Sequence, residues 1–274
     1  YITHKLDELP LIADEFTVMR DGRYVGSQAT NAAGHDDIVR MMVGRDFVAR
    51  HSNVESGGGG ASRHWNVELL RVEGLHLAHP ERAGDFAVRD VSLHLRRGEV
   101  LGVFGLMGAG RTELLETLFG QHPKRAKGKV VVDGRDVWFR NARQAIDAGV
   151  VLAPEDRKRE GLVLSLSVAA NTSLACIGKT ERLGLLDTAR ENELAAGYVT
   201  RLRTKTPTVH QFVRHLSGGN QQKVVLSKWL ATQPKVLLLD EPTRGIDINA
   251  KKEIYALLDE LVASGLGVVM VSSE

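Results

Sequence analysis

Four short runs contain no polar side chain: residues 100–104 (Val-Leu-Gly-Val-Phe), 150–153 (Val-Val-Leu-Ala), 236–239 (Val-Leu-Leu-Leu) and 267–271 (Gly-Val-Val-Met-Val). Unbroken apolarity over so few residues, in place of alternation, suits strands buried on both faces of a parallel sheet. Helical stretches lie between them at residues 112–119, 221–231 and 250–263. Strands alternating with helices predict an α/β fold with a mainly parallel sheet. The stretch from about residue 161 to 211 has no comparable run and reads as a helical insertion.

With 274 residues, and about 150 per domain as the ordinary scale, the chain has room for one or two domains and a sizeable core. The clearest seam is residues 51–64, where Ser56 precedes four consecutive glycines, Gly57-Gly58-Gly59-Gly60. Glycines in a row hold no regular structure cheaply, so this segment reads as a flexible linker. Ahead of it, residues 6–13 and 36–43 read as short helices, and residues 16–25 as two strands around the Asp21-Gly22 turn. A piece of about 50 residues is thin for a domain of its own.

Charge and composition remove several classes of function. Lys and Arg number 36 against 34 Asp and Glu, a formal net charge of +2, so nothing predicts an electrostatic grip on nucleic acid. Hydrophobic residues at 43% and charged residues at 26% describe an ordinary globular chain. One cysteine, Cys176, allows neither an internal disulfide nor a zinc cluster, and reads as a small hydrophobe in a reducing compartment. No run of about 18 apolar residues occurs, and residues 1–20 lack the basic start and apolar core of a signal peptide. The expectation is a cytoplasmic chain, or the cytoplasmic part of something larger.

Three motifs carry chemistry. Gly105-Leu106-Met107-Gly108-Ala109-Gly110-Arg111-Thr112 follows an apolar strand and opens a helix, the context a phosphate-binding loop requires. Glycines let backbone N–H groups converge on phosphate oxygens, and the helix N-terminus adds partial positive charge. Thr112 is the hydroxyl for Mg²⁺, followed by Glu113 in the first turn. At the end of the third apolar run stand Asp240 and Glu241. Asp240 can hold Mg²⁺, directly or through water, and Glu241 can polarise an attacking water as general base. Finally, Leu216-Ser217-Gly218-Gly219-Asn220-Gln221-Gln222-Lys223 puts a hydroxyl and two glycines at a helix start, a second anion site facing outward.

In order and spacing these motifs, with Gly245-Ile246-Asp247, resemble the Walker A, signature, Walker B and D-loop motifs of ABC ATPases across residues 66–274. The strings Gly-Leu-Met-Gly-Ala-Gly-Arg-Thr-Glu-Leu, Pro-Glu-Asp-Arg-Lys-Arg-Glu-Gly-Leu and Leu-Ser-Gly-Gly-Asn-Gln-Gln-Lys resemble the second ATPase copy of duplicated monosaccharide-importer subunits of the ribose, galactose and xylose type. The resemblance implies a P-loop fold with a mainly parallel sheet, antiparallel strands and a helical subdomain at about residues 161–215. It implies ATP and Mg²⁺ as cofactors, with Gly105, Gly108, Ala109, Gly110, Arg111, Thr112 and Glu113 on the nucleotide. Ser217, Gly218, Gly219 and Gln221 would complete a partner's nucleotide site. The implied partners are a membrane permease subunit, a periplasmic or extracellular solute-binding protein, and the first ATPase copy or a second chain in a head-to-tail pair. The implied location is the cytoplasmic face of the cell membrane.

Residues 1–8 resemble the switch-histidine segment of a first copy, which makes His4 a candidate catalytic residue and residues 1–50 the tail of that copy. On this reading residues 51–65 are the linker and residues 66–274 the second copy without its own tail. Two arrangements stand open: residues 1–50 dock on 66–274 and bring His4 to the phosphates, or they settle loosely or on a neighbour. Three positions depart from the family's active pattern: Arg111 for lysine, Glu155 for the glutamine that meets Mg²⁺, and Ser273 for the histidine at the γ-phosphate. Phe86 is the aromatic residue at hand for adenine. Together these departures predict a site that binds ATP and hydrolyses it poorly. The competing expectations are a non-catalytic regulatory nucleotide module, and import of nucleosides or other small polar solutes.

Overall fold

The computed structural model describes residues 13–20, 23–30, 41, 67–106 and 108–272. The chain divides into two compact units. The first contains an antiparallel hairpin of β1 (Glu15–Arg20) and β2 (Arg23–Ala29), with Phe16 and Val18 buried and the Thr17 and Ser27 hydroxyls 2.8 Å apart. These are the two strands expected around Asp21-Gly22; the expected helices at 6–13 and 36–43, the linker and His4 lie essentially outside the described residues.

The second unit is built on two sheets. The antiparallel one has the order β4-β3-β6-β7, from β3 (Glu68–Ala78), β4 (Phe86–Arg96), β6 (Ala126–Val132) and β7 (Arg135–Val137). The parallel one has the order β5-β12-β11-β8, from β5 (Val100–Val103), β8 (Val150–Ala153), β11 (Val236–Asp240) and β12 (Gly267–Val271). These four are the apolar runs of the sequence. Both central strands are sealed: Val236, Leu237, Leu238, Leu239, Val268 and Val269 are fully buried, while β5 at the edge stays half-exposed.

Helices cover the sheets with faces that follow from their spacing. In α1 (Arg111–Leu118), Leu114, Leu115 and Leu118 turn inward. The short α2 (Ala142–Asp147) starts on the Asn141 side chain, which accepts from the Gln144 N–H. α6 (Ile248–Ala263) buries Ile254, Leu257, Leu258 and Leu261, a stripe at helical period. α5 (Gly218–Leu230) is buried almost all round from Gly219 onward, which makes it the central helix.

Residues 161–211 hold α3 (Val168–Ser173) and α4 (Thr188–Arg201), capped by Ser167 and Asp187. The buried Ser173 hydroxyl donates to Glu191 at 2.5 Å and ties the two helices. One element differs from the expectation of helices alone: β9 (Glu181–Arg182) and β10 (Leu185–Leu186) form a small hairpin. Its turn residues Leu183 and Gly184 both have positive φ, 54° and 81°, which matches the twist of a tight hairpin. Among the described residues no helix is long and apolar enough to cross a membrane.

Candidate nucleotide-binding site

The glycine loop and the acidic pair leave the C-terminal edge of the parallel sheet, where ligands of open α/β sheets bind. The glycine loop follows β5, Glu155 follows β8, Asp240 and Glu241 end β11, and Ser272 follows β12.

The glycine loop folds back on itself through the Ala109 N–H, which donates to the Leu106 carbonyl at 3.1 Å. A Cβ on Gly105 would sit 3.5 Å from Ala109, ordinary contact. Gly110 is different: its φ is 83°, and a Cβ there would lie 2.1 Å from the Ala87 carbonyl oxygen. Only glycine fits where the loop runs against β4. Gly110 is also the cap of α1 and provides no side-chain cap, so the first amides of that helix remain available to an anion. Gly108, Gly110, Glu113 and Glu116 line a cavity of about 240 Å³. The lining also includes His79, Arg82, Phe86, His122 and Arg125. Phe86 is 44% exposed, enough open ring to stack a base.

Arg111 does not point away into this space. Its Nη1 donates to the Ser272 carbonyl at 3.3 Å and lies 3.3 Å from Glu241 Oε1. Both side chains of that ion pair are nearly buried, at 12% and 9% exposure, so solvent screens it weakly. Glu241 is presented by a left-handed backbone conformation, φ 44°, costing on the order of 1 kcal/mol for a residue with a Cβ.

Asp240 is buried, and its Oδ1 has no hydrogen-bond partner. Burial raises its pKa, the Glu241 charge adds to that, and the Thr112 hydroxyl and Arg111 act in the opposite direction. An orphaned carboxylate oxygen beside a hydroxyl is a donor set suited to a hard cation such as Mg²⁺. Glu155, the other expected metal ligand, is instead engaged in an ion pair with Arg244. The long side chain of Arg244 finds Glu155 because the loops after β8 and β11 run side by side, these two strands being neighbours.

The expected second anion site opens to solvent at Ser217. Ser217 caps α5 without bonding a helix amide; its hydroxyl accepts from Asn220 Nδ2 at 2.9 Å. Gly218 and the buried Gly219 form the first turn. Gln221, the remaining residue expected at this site, turns inward. It is 4% exposed and donates to the Val213 carbonyl at 3.1 Å, so it fixes the preceding loop to the helix. In the charged string Asp156-Arg157-Lys158-Arg159-Glu160, Arg157 is half-buried and donates to the carbonyls of Arg244 and Gly245. A further cluster went unread: Arg125 donates to His122 Nδ1 at 3.0 Å, which leaves the Nε2 proton for Glu116 at 2.7 Å.

Residues 88–244 match the family described as ABC transporter. The chain belongs to the ABC transporter family. Over its full length it is 54% identical to the ribose import ATP-binding protein of Rhodopirellula baltica and 44% identical to the xylose import ATP-binding protein of Escherichia coli. It spans 52% of each, about half the length of these curated relatives. Among solved structures, a dimeric ATP-binding cassette bound to ADP and Pi superposes with a TM-score of 0.64 at 21% identity, covering 75% of this chain and 88% of that one. A nucleotide-free ATP-binding cassette superposes at 0.61 with 20% identity, covering 76% and 81%. Both establish the P-loop α/β fold.

Proposed function

We propose that this chain serves as the energy-coupling ATP-binding component of a monosaccharide importer, and that its own nucleotide site is a degenerate one that holds ATP and hydrolyses it poorly. The names and identities of the ribose and xylose import relatives support the first half. The Arg111–Glu241 ion pair carries the second.

In this mechanism the amides of Gly108, Ala109 and Gly110 and of the first turn of α1 hold the phosphates. Thr112 and Asp240 would hold Mg²⁺, which would supply positive charge to the phosphate oxygens. Glu241 is the group positioned to polarise a water, but its carboxylate is occupied by Arg111. A lysine would give a compact point charge to the phosphates; the forked, longer arginine reaches past Ser272 to the glutamate. The exposed Ser217-Gly218 turn faces away to complete the nucleotide site of a head-to-tail partner, the first ATPase copy or a second chain. ATP held here acts as a strut for the closed pair, and closure drives a membrane permease subunit that receives solute from a binding protein. The work takes place at the cytoplasmic face of the membrane.

The test is Mg-ATP turnover by the intact protein. Glu241→Gln leaves turnover within about twofold of wild type, whereas Ser217→Arg lowers it by about tenfold or more, the range expected when a phosphate contact is lost. Equal losses would overturn the asymmetry. Nucleotide binding with no turnover in any form would favour a purely regulatory nucleotide module, the reading that the same ion pair also supports.

A further inference from the structure

We infer that Arg157 is a positioning residue that locks the Ser217-Gly218 turn to the loop after the acidic pair, so that the two shift together; this deepens the ATPase reading above and rests on it.

The guanidinium sits between the two segments. Nη1 donates to the Arg244 carbonyl at 2.8 Å and Nη2 to the Gly245 carbonyl at 3.3 Å. The same Nη2 lies 2.7 Å from the point a Cβ on Gly218 would occupy, and that point is also 3.2 Å from the Gly245 carbonyl oxygen and from Ile246 Cγ2. Glycine at 218 therefore leaves room for the guanidinium against the helix start, while the guanidinium spans two consecutive carbonyls of the other loop. Gly245 has φ 66°, which turns its carbonyl within reach of the fork. The group is half-buried, its Nε has no partner, and burial pulls its pKa below the ordinary arginine value against the opposing charge of Asp156.

Arg157 is itself held at both ends. It opens a single π-helical turn, Arg157–Gly161, whose entry is set by the Asp156 carboxylate accepting from the Lys158 and Arg159 amides. At its exit the Gly161 carbonyl accepts from Lys228 Nζ of α5 at 2.5 Å. Arg244 is held a second time through its side chain on Glu155. Isolated π turns recur at functional sites. Here the turn fixes one planar fork against two loops that serve different nucleotides: residues 242–246 follow this chain's own acidic pair, and Ser217-Gly218 serves the partner's site. A lysine replaces it only in part, because a single ammonium has no rigid fork with which to span both carbonyls.

The test combines hydrogen exchange and steady-state turnover on the intact protein, comparing wild type, R157A and R157K. R157A raises amide exchange by about tenfold in both 216–221 and 243–246 and leaves 105–118 unchanged. It also lowers kcat about fivefold while KM for ATP stays within about twofold, and R157K recovers part of the kcat. Exchange that rises in neither segment, or in only one, overturns the proposal, as does a loss confined to KM. If R157A does not fold, R157K against wild type decides on the same two readouts. A wild type that neither binds nor hydrolyses Mg-ATP overturns the ATPase reading, while the exchange pattern still decides whether Arg157 couples the loops.

Discussion

Replacing Lys228 with methionine removes a charge from inside the protein while keeping a chain of similar length. Lys228 is 6% exposed on the central helix α5. Burial brings its pKa from the ordinary 10.5 down to about 8. That gap corresponds to about 3 kcal/mol, the cost of keeping the ammonium charged indoors. Below pH 8 the folded and unfolded chains both carry the proton, and the folded state bears the whole cost. Between pH 8 and 10.5 the folded chain releases its proton first, the unfolded chain binds more protons, and stability rises with pH. The increment is fully present above 10.5 and is lost as pH falls through 8. Methionine avoids the cost, but it loses the bond to the Gly161 carbonyl and the placement of the ammonium 4.4 Å from the Trp229 ring centroid. Each of these is worth about 1 kcal/mol. Lys228→Met is therefore about 1 kcal/mol more stable than wild type at pH 7, and about 1 kcal/mol less stable near pH 10.5, where the neutral amine keeps its hydrogen bond but brings no charge to the ring, so the two stability curves cross. Urea unfolding followed by circular dichroism over a pH series measures this, and the difference between the two proteins cancels every other titrating group. A difference that does not vary with pH refutes the reasoning, as does a variant already weaker at pH 7.

Gly110→Ala forces a Cβ to 2.1 Å from the Ala87 oxygen at positive φ, so it lowers stability by about 2 kcal/mol and reduces ATP affinity at least tenfold by calorimetry. Asp240→Asn removes a buried carboxylate whose pKa is raised by burial. Such a group makes the folded state lose stability as pH rises through the raised value, so the variant is more stable at pH 7 without ligand. Nucleotide titrations with and without Mg²⁺ then show the Mg²⁺-dependent part of the affinity gone. Leu238→Ala, in the middle of the sealed sheet, lowers the unfolding free energy by about 3 kcal/mol in urea. Burial raises the Cys176 thiol pKa, so at pH 7 it reacts with a thiol reagent more slowly than free cysteine, and unfolding restores the rate.

The parallel sheet was legible in the sequence because burial on both faces erases alternation within a few residues, a signal that needs no knowledge of distant chain. The glycine loop was legible for the same reason: its strand, turn and helix are contiguous. The antiparallel strands left a weaker mark. In β3 the register slips between Val72 and Leu75, around Gly74 with φ 55°, which breaks the period of two that would announce a strand. Nothing local marks Arg157 as bonded, since its sequence neighbours are charged and its partners lie 87 and 88 residues away. The sharpest case is Arg111. As a letter in a motif it was a charged stand-in for lysine. Its meaning depends on the strand order β5-β12-β11-β8, which inserts β12 between the strand before Arg111 and the strand that ends at Asp240. Arg111 opens α1 after the loop that follows β5, touches the carbonyl of Ser272 just beyond β12, and meets Glu241 just beyond β11. A local substitution at one strand end thus acts on the acidic pair at another, and only the order of the strands makes them neighbours.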